Sequence, residues 1–129
     1  MSNSIKVLCV DDNEHDLRAM EREVSKQPDV ALVSALSAAE ALQIGTQLQF
    51  DLCLIDVHMP DLSGAKLIET MRKGNWNLAA RVVFVSGVDR ESPINQLITQ
   101  EGGELWDKPI DSNLLNDVFD EIRQSVATA

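Results

Sequence analysis

Five polar side chains stand where apolar runs end. Asp11 and Asp12 follow IKVLCV (5–10), Asp56 closes DLCLID (51–56), Ser86 closes RVVFVS (81–86) and Lys108 follows ELWD (104–107). Carboxylates, a hydroxyl and an ammonium are the ingredients of phosphoryl chemistry. Carboxylates drawn close together repel one another, which raises their pKa values or demands a cation. A hard divalent ion with oxygen ligands relieves that repulsion, and Mg²⁺ is the usual one where carboxylates meet phosphate. Metal, ammonium and hydroxyl around one carboxylate make a place for a phosphoryl group, with Asp56 as the nucleophile.

Something must hold these groups together. The four runs above and VALVSA (30–35) read as strands, and all but ELWD are nearly continuous in Val, Ile, Leu and small residues. Near-continuous apolar runs mark strands buried on both faces, as in a parallel sheet covered by helices. Helical patterns lie between them. Leu17, Met20 and Val24 keep helical spacing behind an acidic first turn, Glu14 and Asp16, that suits the helix dipole. Ser37 with Glu40 reads as a capping box, with Ala41, Leu42 and Leu48 expected to face inward. Leu67, Ile68 and Met71 form a third stripe, closed by Gly74. Ser92 and Pro93 read as cap and first helical residue before Ile94, Leu97 and Ile98. Asp111 is expected to cap a last helix with the stripe Leu114, Leu115, Val118, Phe119 and Ile122, and the small polar tail SVATA to fray.

About five βα units in 129 residues predict one α/β domain, 1–129, with its core over about 4–125. Right-handed crossovers make it an open, doubly wound five-stranded parallel sheet with helices on both faces. In such sheets the site lies beyond the C-terminal strand ends, which is where the polar residues fall.

Composition narrows the partners. A formal charge of -10 argues against nucleic acid phosphates and anionic lipid. The start MSNSIKVLCVDDN lacks the pattern of a secretory signal, and its apolar run is too short for a membrane span. Cys9 and Cys53 sit inside apolar runs and read as buried free thiols in a reducing compartment.

The acidic pair Asp11-Asp12, D-V-H-M-P-D-L-S-G at 56–64, Ser86-Gly87 and Lys108-Pro109 carry a resemblance. Along nearly its whole length the chain resembles a receiver domain of the two-component response regulator family, similar to the chemotaxis regulators. The resemblance implies a flavodoxin-like strand order, 2-1-3-4-5. It implies that Asp56 accepts phosphate from a sensor histidine kinase or a histidine phosphotransfer protein. Asp12, Asp56 and the backbone carbonyl of His58 would bind Mg²⁺, with Asp11 acting mainly through metal-bound water. Lys108 would hold one phosphoryl oxygen, and Ser86, eased by Gly87, would swing to another. The Lys108–Pro109 bond would be cis. A cytoplasmic domain, monomeric or weakly dimeric, would then switch a downstream effector protein or domain, catalysing only its own phosphorylation and dephosphorylation.

The chain also departs from the family. Three residues before the lysine, where Tyr or Phe is usual, stands Leu105, and G-A-D-D-Y is replaced by E-G-G-E-L. Leucine cannot make the inward swing of an aromatic ring, and alternation points Trp106 to the other face. The expected response is therefore movement of VDRES (88–92) and the helix it feeds. His58 and Val88 stand two residues after Asp56 and Ser86, positions that in the family flank the phosphoryl group and influence how water reaches it, although an exposed loop histidine without a role is the plainer reading of His58. Leu105 also keeps a second reading, a receiver-like interaction module that works without phosphate. A flavodoxin-like FMN protein is disfavoured by DDNEHD after the first run, which would repel the FMN phosphate. A haloacid-dehalogenase-like phosphatase would want an Asp where His58 stands.

Overall fold

In the computed structural model, which describes residues 4–59, 62–63, 70, 73, 80–87, 92–100 and 103–128, the apolar runs are strands. They are β1 (Ile5–Val10), β2 (Val30–Ala35), β3 (Leu52–Asp56), β6 (Arg81–Ser86) and β7 (Glu104–Asp107). All pair in parallel, in the order β2-β1-β3-β6-β7. This is the expected doubly wound sheet. Two short strands, β4 (His58–Met59) and β5 (Leu62–Ser63), form a separate antiparallel pair after β3. β3 starts one residue later than its run suggests. Asp51 is tied to β1 instead, its carboxylate accepting the Lys6 N–H at 2.8 Å and its own N–H donating to the Lys6 carbonyl at 2.8 Å.

Alternation along each strand divides the core in two. Leu8, Val10, Cys53, Ile55, Phe84 and Leu105 face one side. There they meet Ala38 and Ala41 of α2 (Ala38–Gln47) and Ile98 of α3 (Pro93–Gln100). Val7, Cys9, Leu54, Val83, Val85 and Trp106 face the other. There they meet Leu17, Met20 and Val24 of α1 (Glu14–Val24) and Leu115, Val118 and Phe119 of α4 (Ser112–Thr128). With both faces covered, the central strand β3 is buried along its whole length. Full burial of each large apolar side chain contributes about 1.5–3 kcal/mol.

Local chemistry starts the helices. The Asn13 side chain accepts the Asp16 N–H at 3.0 Å, Ser37 accepts the Glu40 N–H at 3.1 Å, and Asp111 accepts the Asn113 N–H at 2.8 Å. The return arm of the Ser37–Glu40 box reaches the Leu36 N–H, one residue before the cap.

Three expectations need correction. Leu48 is 45% exposed, because α2 ends before it and extended backbone carries it off the helical face. Leu114 is 44% exposed. It lies about 100° around the helix from Leu115, outside the wedge of Leu115, Val118 and Phe119. The tail does not fray where expected, since α4 continues through Thr128. Pro60, Gly64, Leu67, Ile68, Met71, Gly74 and Val88 lie outside the described residues, as do the side chains of His58, Ile94 and Leu97. Among the described residues no helix is long and apolar enough to cross a membrane.

Candidate functional site

Register brings the strand ends level. Val10 of β1 pairs with Ile55, Asp56 pairs with Val85, and Ser86 pairs with Asp107. The residues at these ends therefore share one edge of the sheet.

Asp11 follows β1 but stays tied to the sheet, its N–H donating to the Ala35 carbonyl at 3.2 Å. Its side chain is fully buried. One carboxylate oxygen, Oδ1, accepts the Asn13 N–H at 3.0 Å, which fixes its orientation. Asp12, next along, is exposed. Asp56 ends the central strand, flanked by β1 and β6, and is 4% exposed. Just after it, the Val57 N–H donates to the Val85 carbonyl at 3.2 Å, so the chain on both sides of Asp56 is pinned. Asp11, Asp12 and Asp56 each offer an oxygen within 4.8 Å of the others. Three hard oxygen donors in such reach fit a small divalent cation. The His58 backbone follows as the first residue of β4, opposite Ser63.

Lys108 closes the cluster. Its backbone N–H donates to the Ser86 carbonyl at 2.8 Å, and its peptide bond to Pro109 is cis. Its Nζ donates to Asp11 Oδ2 at 2.8 Å and lies 3.0 Å from Asp56 Oδ1. It also reaches Asp16 Oδ2 on α1 at 3.1 Å. One ammonium thus answers to several carboxylates. Burial holds the Asp56 carboxyl above the ordinary aspartate value. The Lys108 hydrogen bond pulls it back, and Asp11 and Asp12 push it further up. Burial by itself would lower Lys108, but its bonds to Asp11 and Asp56 outweigh that and drive its pKa upward, so the charge is permanent.

Ser86 ends β6, buried, and its Oγ accepts a hydrogen bond from Asn95 Nδ2 of α3 at 3.1 Å. Gly87 lies against the Lys108 stem, where an added Cβ would sit 3.6 Å from Cδ. Leu105 packs in the apolar cluster of Phe84 and Ile98, and Trp106 lies on the opposite face of the sheet, as alternation requires. A cavity of about 500 Å³ opens beside the cluster, lined by His15, Asp16, Met20, Gly87, Lys108 and Pro109 among others.

Asp11, Asp12, Asp56 and Lys108 come together, and Ser86 joins them through the Lys108 backbone. Two residues of the site carried signals that went unread in the sequence. Asp16 stands in the first turn of α1, which opens directly after the acidic pair and so lies at the same edge. Asn95 stands three residues before Ile98, a polar side chain on an apolar face.

A family model described as the response regulator receiver domain matches residues 7–120. The protein-glutamate methylesterase/protein-glutamine glutaminase 2 of Methanospirillum hungatei JF-1 is 31% identical over 86 residues, 66% of this chain and 24% of that protein. The transcriptional regulatory protein NatR of Bacillus subtilis is 38% identical over 84 residues, 64% of this chain and 35% of that protein. The matches thus span only about a quarter to a third of these relatives. The crystal structure of a CheY-like response regulator receiver domain from Methanospirillum hungatei JF-1 has a TM-score of 0.79 at 20% identity, over 98% of this chain and 100% of that one. At that identity the likeness speaks for the fold. The family match, by contrast, runs from β1 into α4 and takes in every strand that supplies the cluster, and on that ground the chain belongs to the response regulator receiver domain family of two-component signalling.

Proposed function

We propose that Asp56 accepts a phosphoryl group from a phosphohistidine of a sensor kinase or histidine phosphotransfer protein, and that this switches binding of a downstream effector protein or domain. Residues 1–129 act as one cytoplasmic receiver domain, core about 4–125, as a monomer or weak dimer. One observation carries the reading: a buried strand-end aspartate sits 3.0 Å from a lysine whose charge is shared with two further carboxylates.

A carboxylate oxygen of Asp56 attacks phosphorus. The new O–P bond forms as the P–N bond breaks, and the imidazole leaves with the electron pair and takes up a proton. Asp56 cannot recoil, because β1 and β6 grip its strand on both sides. Lys108 is already placed to neutralise charge on a phosphoryl oxygen. Asp12, Asp56 and the His58 backbone carbonyl would hold Mg²⁺ directly, and Asp11 through water; when bound, the ion supplies positive charge to the phosphoryl oxygens. The Ser86 hydroxyl then donates to another phosphoryl oxygen. Attack of water on phosphorus releases orthophosphate and restores the carboxylate.

Intact mass after incubation with acetyl phosphate and Mg²⁺ tests this on wild type and Asp56→Asn. One phosphoryl group is expected on wild type, and none on the variant or in chelator. Equal modification of Asp56→Asn would sink the assignment, and modification that survives chelator would sink the metal. An unmodified wild type would favour the interaction module that works without phosphate.

A further inference from the structure

We propose that Asn95 is the positioning residue through which α3 reads the state of Ser86, an inference that rests on Asp56 being the phosphoacceptor. Asn95 is fully buried in the first turn of α3, three residues after Ser92. It is fixed from three directions. Its backbone N–H reaches Ser92 Oγ at 3.4 Å, its carbonyl accepts from Thr99 Oγ1 at 3.2 Å, and its side-chain Nδ2 donates to Ser86 Oγ at 3.1 Å. A buried amide is costly unless hydrogen-bonded, so an apolar residue would serve better here if packing were the whole task. The Ser86 bond joins the helix side chain to side chain with the end of β6, across nine positions of sequence.

That bond competes with phosphoryl binding. Serine side chains occupy discrete staggered wells, and a change of well moves Oγ by about 2 Å. A bond of 3.1 Å to a residue whose backbone is held at both its N–H and its carbonyl does not survive such a step. When the Ser86 hydroxyl turns to a phosphoryl oxygen, this bond between β6 and the first turn of α3 breaks, and the first turn is released to shift.

The other end of the helix is held differently. The Gly103 N–H donates to the Ile98 carbonyl at 2.8 Å, and a Cβ at Gly103 would come within 2.9 Å of that oxygen. Ile98 and Leu105 share one apolar cluster. These contacts contain no group that a phosphoryl can capture. The helix is therefore anchored by packing at its last turn and by an exchangeable hydrogen bond at its first. It pivots about the Ile98–Gly103 contact. An amide on the helix takes over the coupling that Leu105, with neither hydroxyl nor ring, cannot supply.

The test titrates beryllofluoride with Mg²⁺, as a phosphoryl analogue, into wild type, Asn95→Ala, Asn95→Leu, Ser86→Ala and Ser86→Ala/Asn95→Ala. The readouts are the binding midpoint and amide exchange over residues 93–100. In wild type the analogue should raise exchange there. In Asn95→Ala and in the similarly branched, apolar Asn95→Leu, exchange should be high from the start and no longer respond. Freed from the amide, Ser86 should let the analogue bind at about tenfold lower concentration, the worth of one such hydrogen bond. With Ser86→Ala already present, Asn95→Ala should move neither readout further. A role in packing alone would lower stability and leave the midpoint unmoved. If wild type binds the analogue and both Asn95 variants keep or raise its midpoint, the inference is overturned while the phosphoacceptor reading stands. If wild type neither binds beryllofluoride nor takes a phosphoryl group from acetyl phosphate, the Asp56 reading fails and this inference falls with it.

Discussion

At the N-terminal ends of the strands, Arg81 grips Glu104 through Nε and Nη2, both at 3.1 Å, and also pairs with Glu121. Arg123 holds Asp29 in the same forked way, at 3.0 and 2.8 Å, and lies over the Phe119 ring. Arg81, Glu104, Arg123 and Asp29 are each about a third exposed. At the C-terminal ends a single lysine, 20% exposed, is divided among Asp11, Asp16 and Asp56, two of them at 5% exposure or less. A guanidinium fork closes on a carboxylate and leaves little to add. A lysine is a point charge on a flexible stem, and shared among carboxylates it leaves negative charge uncompensated. One end of the sheet is a set of finished staples. The other is held in a state that a cation and a phosphoryl group complete. The two aspartates record this. Hydrogen bonding from Arg123 holds Asp29 below the ordinary aspartate value, while burial holds Asp56 above it.

The contrast breaks first at its two cations. Lys108→Met, in chelator, should cost about 3–5 kcal/mol in denaturant unfolding, because it leaves buried carboxylates uncompensated. Arg81→Met should cost about 0.2–1 kcal/mol. Equal costs would mean that the two ends do not differ in kind. Mg²⁺ comes next. At about 100 times its dissociation constant it should add about 2.7 kcal/mol to wild type in thermal melts against a salt-matched control. Asp12→Ala should remove most of that gain and Arg81→Met none of it, so a gain that survives Asp12→Ala would relocate the cation.

A smaller effect has a sign that differs between the ends. A raised carboxyl pKa means that the folded state holds the proton more tightly, so the charge on Asp56 costs stability. That cost is absent below the ordinary value of about 3.9 and complete above the raised folded value. Without Mg²⁺, Asp56→Asn should therefore melt higher than wild type at neutral pH, with the advantage shrinking as pH falls toward 4. Asp29 behaves oppositely. Its contribution is present above the ordinary value and lost as pH falls through its lowered one, so Asp29→Asn should melt lower at neutral pH. Melting curves in which both variants move the same way would erase the distinction. Least of all, Glu121→Gln should change unfolding by no more than about 0.5 kcal/mol, since Glu104 still fills the Arg81 fork.

The strands were legible because their apolar runs end abruptly at chemistry, and Asp56 and Lys108 could be found by asking what each run delivers. The faces were legible too. One step of alternation placed Leu105 and Trp106 on opposite sides. Helix edges were harder. Leu48 and Leu114 are leucines next to apolar stripes, and only the point where α2 stops, or the phase of α4, decides that they face water. Asp16 and Asn95 were hidden for another reason. Each has a local task at a helix start, Asp16 as a first-turn acid and Asn95 beside its cap, and that task explains the residue well enough to end the search. Their partners lie 92 and 9 positions away, and no local pattern encodes such a pairing.

Cys9 and Cys53 lie on opposite faces of the sheet, in two adjacent strands, and neither is in a disulfide. Burial pushes both thiols up, Cys53 to about 12 and Cys9 further. The thiolate is the reactive form, so a native molecule should be inert to alkylating reagents at neutral pH. The two sulfurs are therefore built-in clocks. Cys9 shares its apolar cluster with residues of α1 and α4, and Cys53 with residues of α2 and α3. Labelling rates of Cys9→Ala and Cys53→Ala would time the opening of each layer separately, with no foreign probe attached. The same silence makes the natural chain a clean background, in which a cysteine introduced on the surface would carry a dye or spin label without competition.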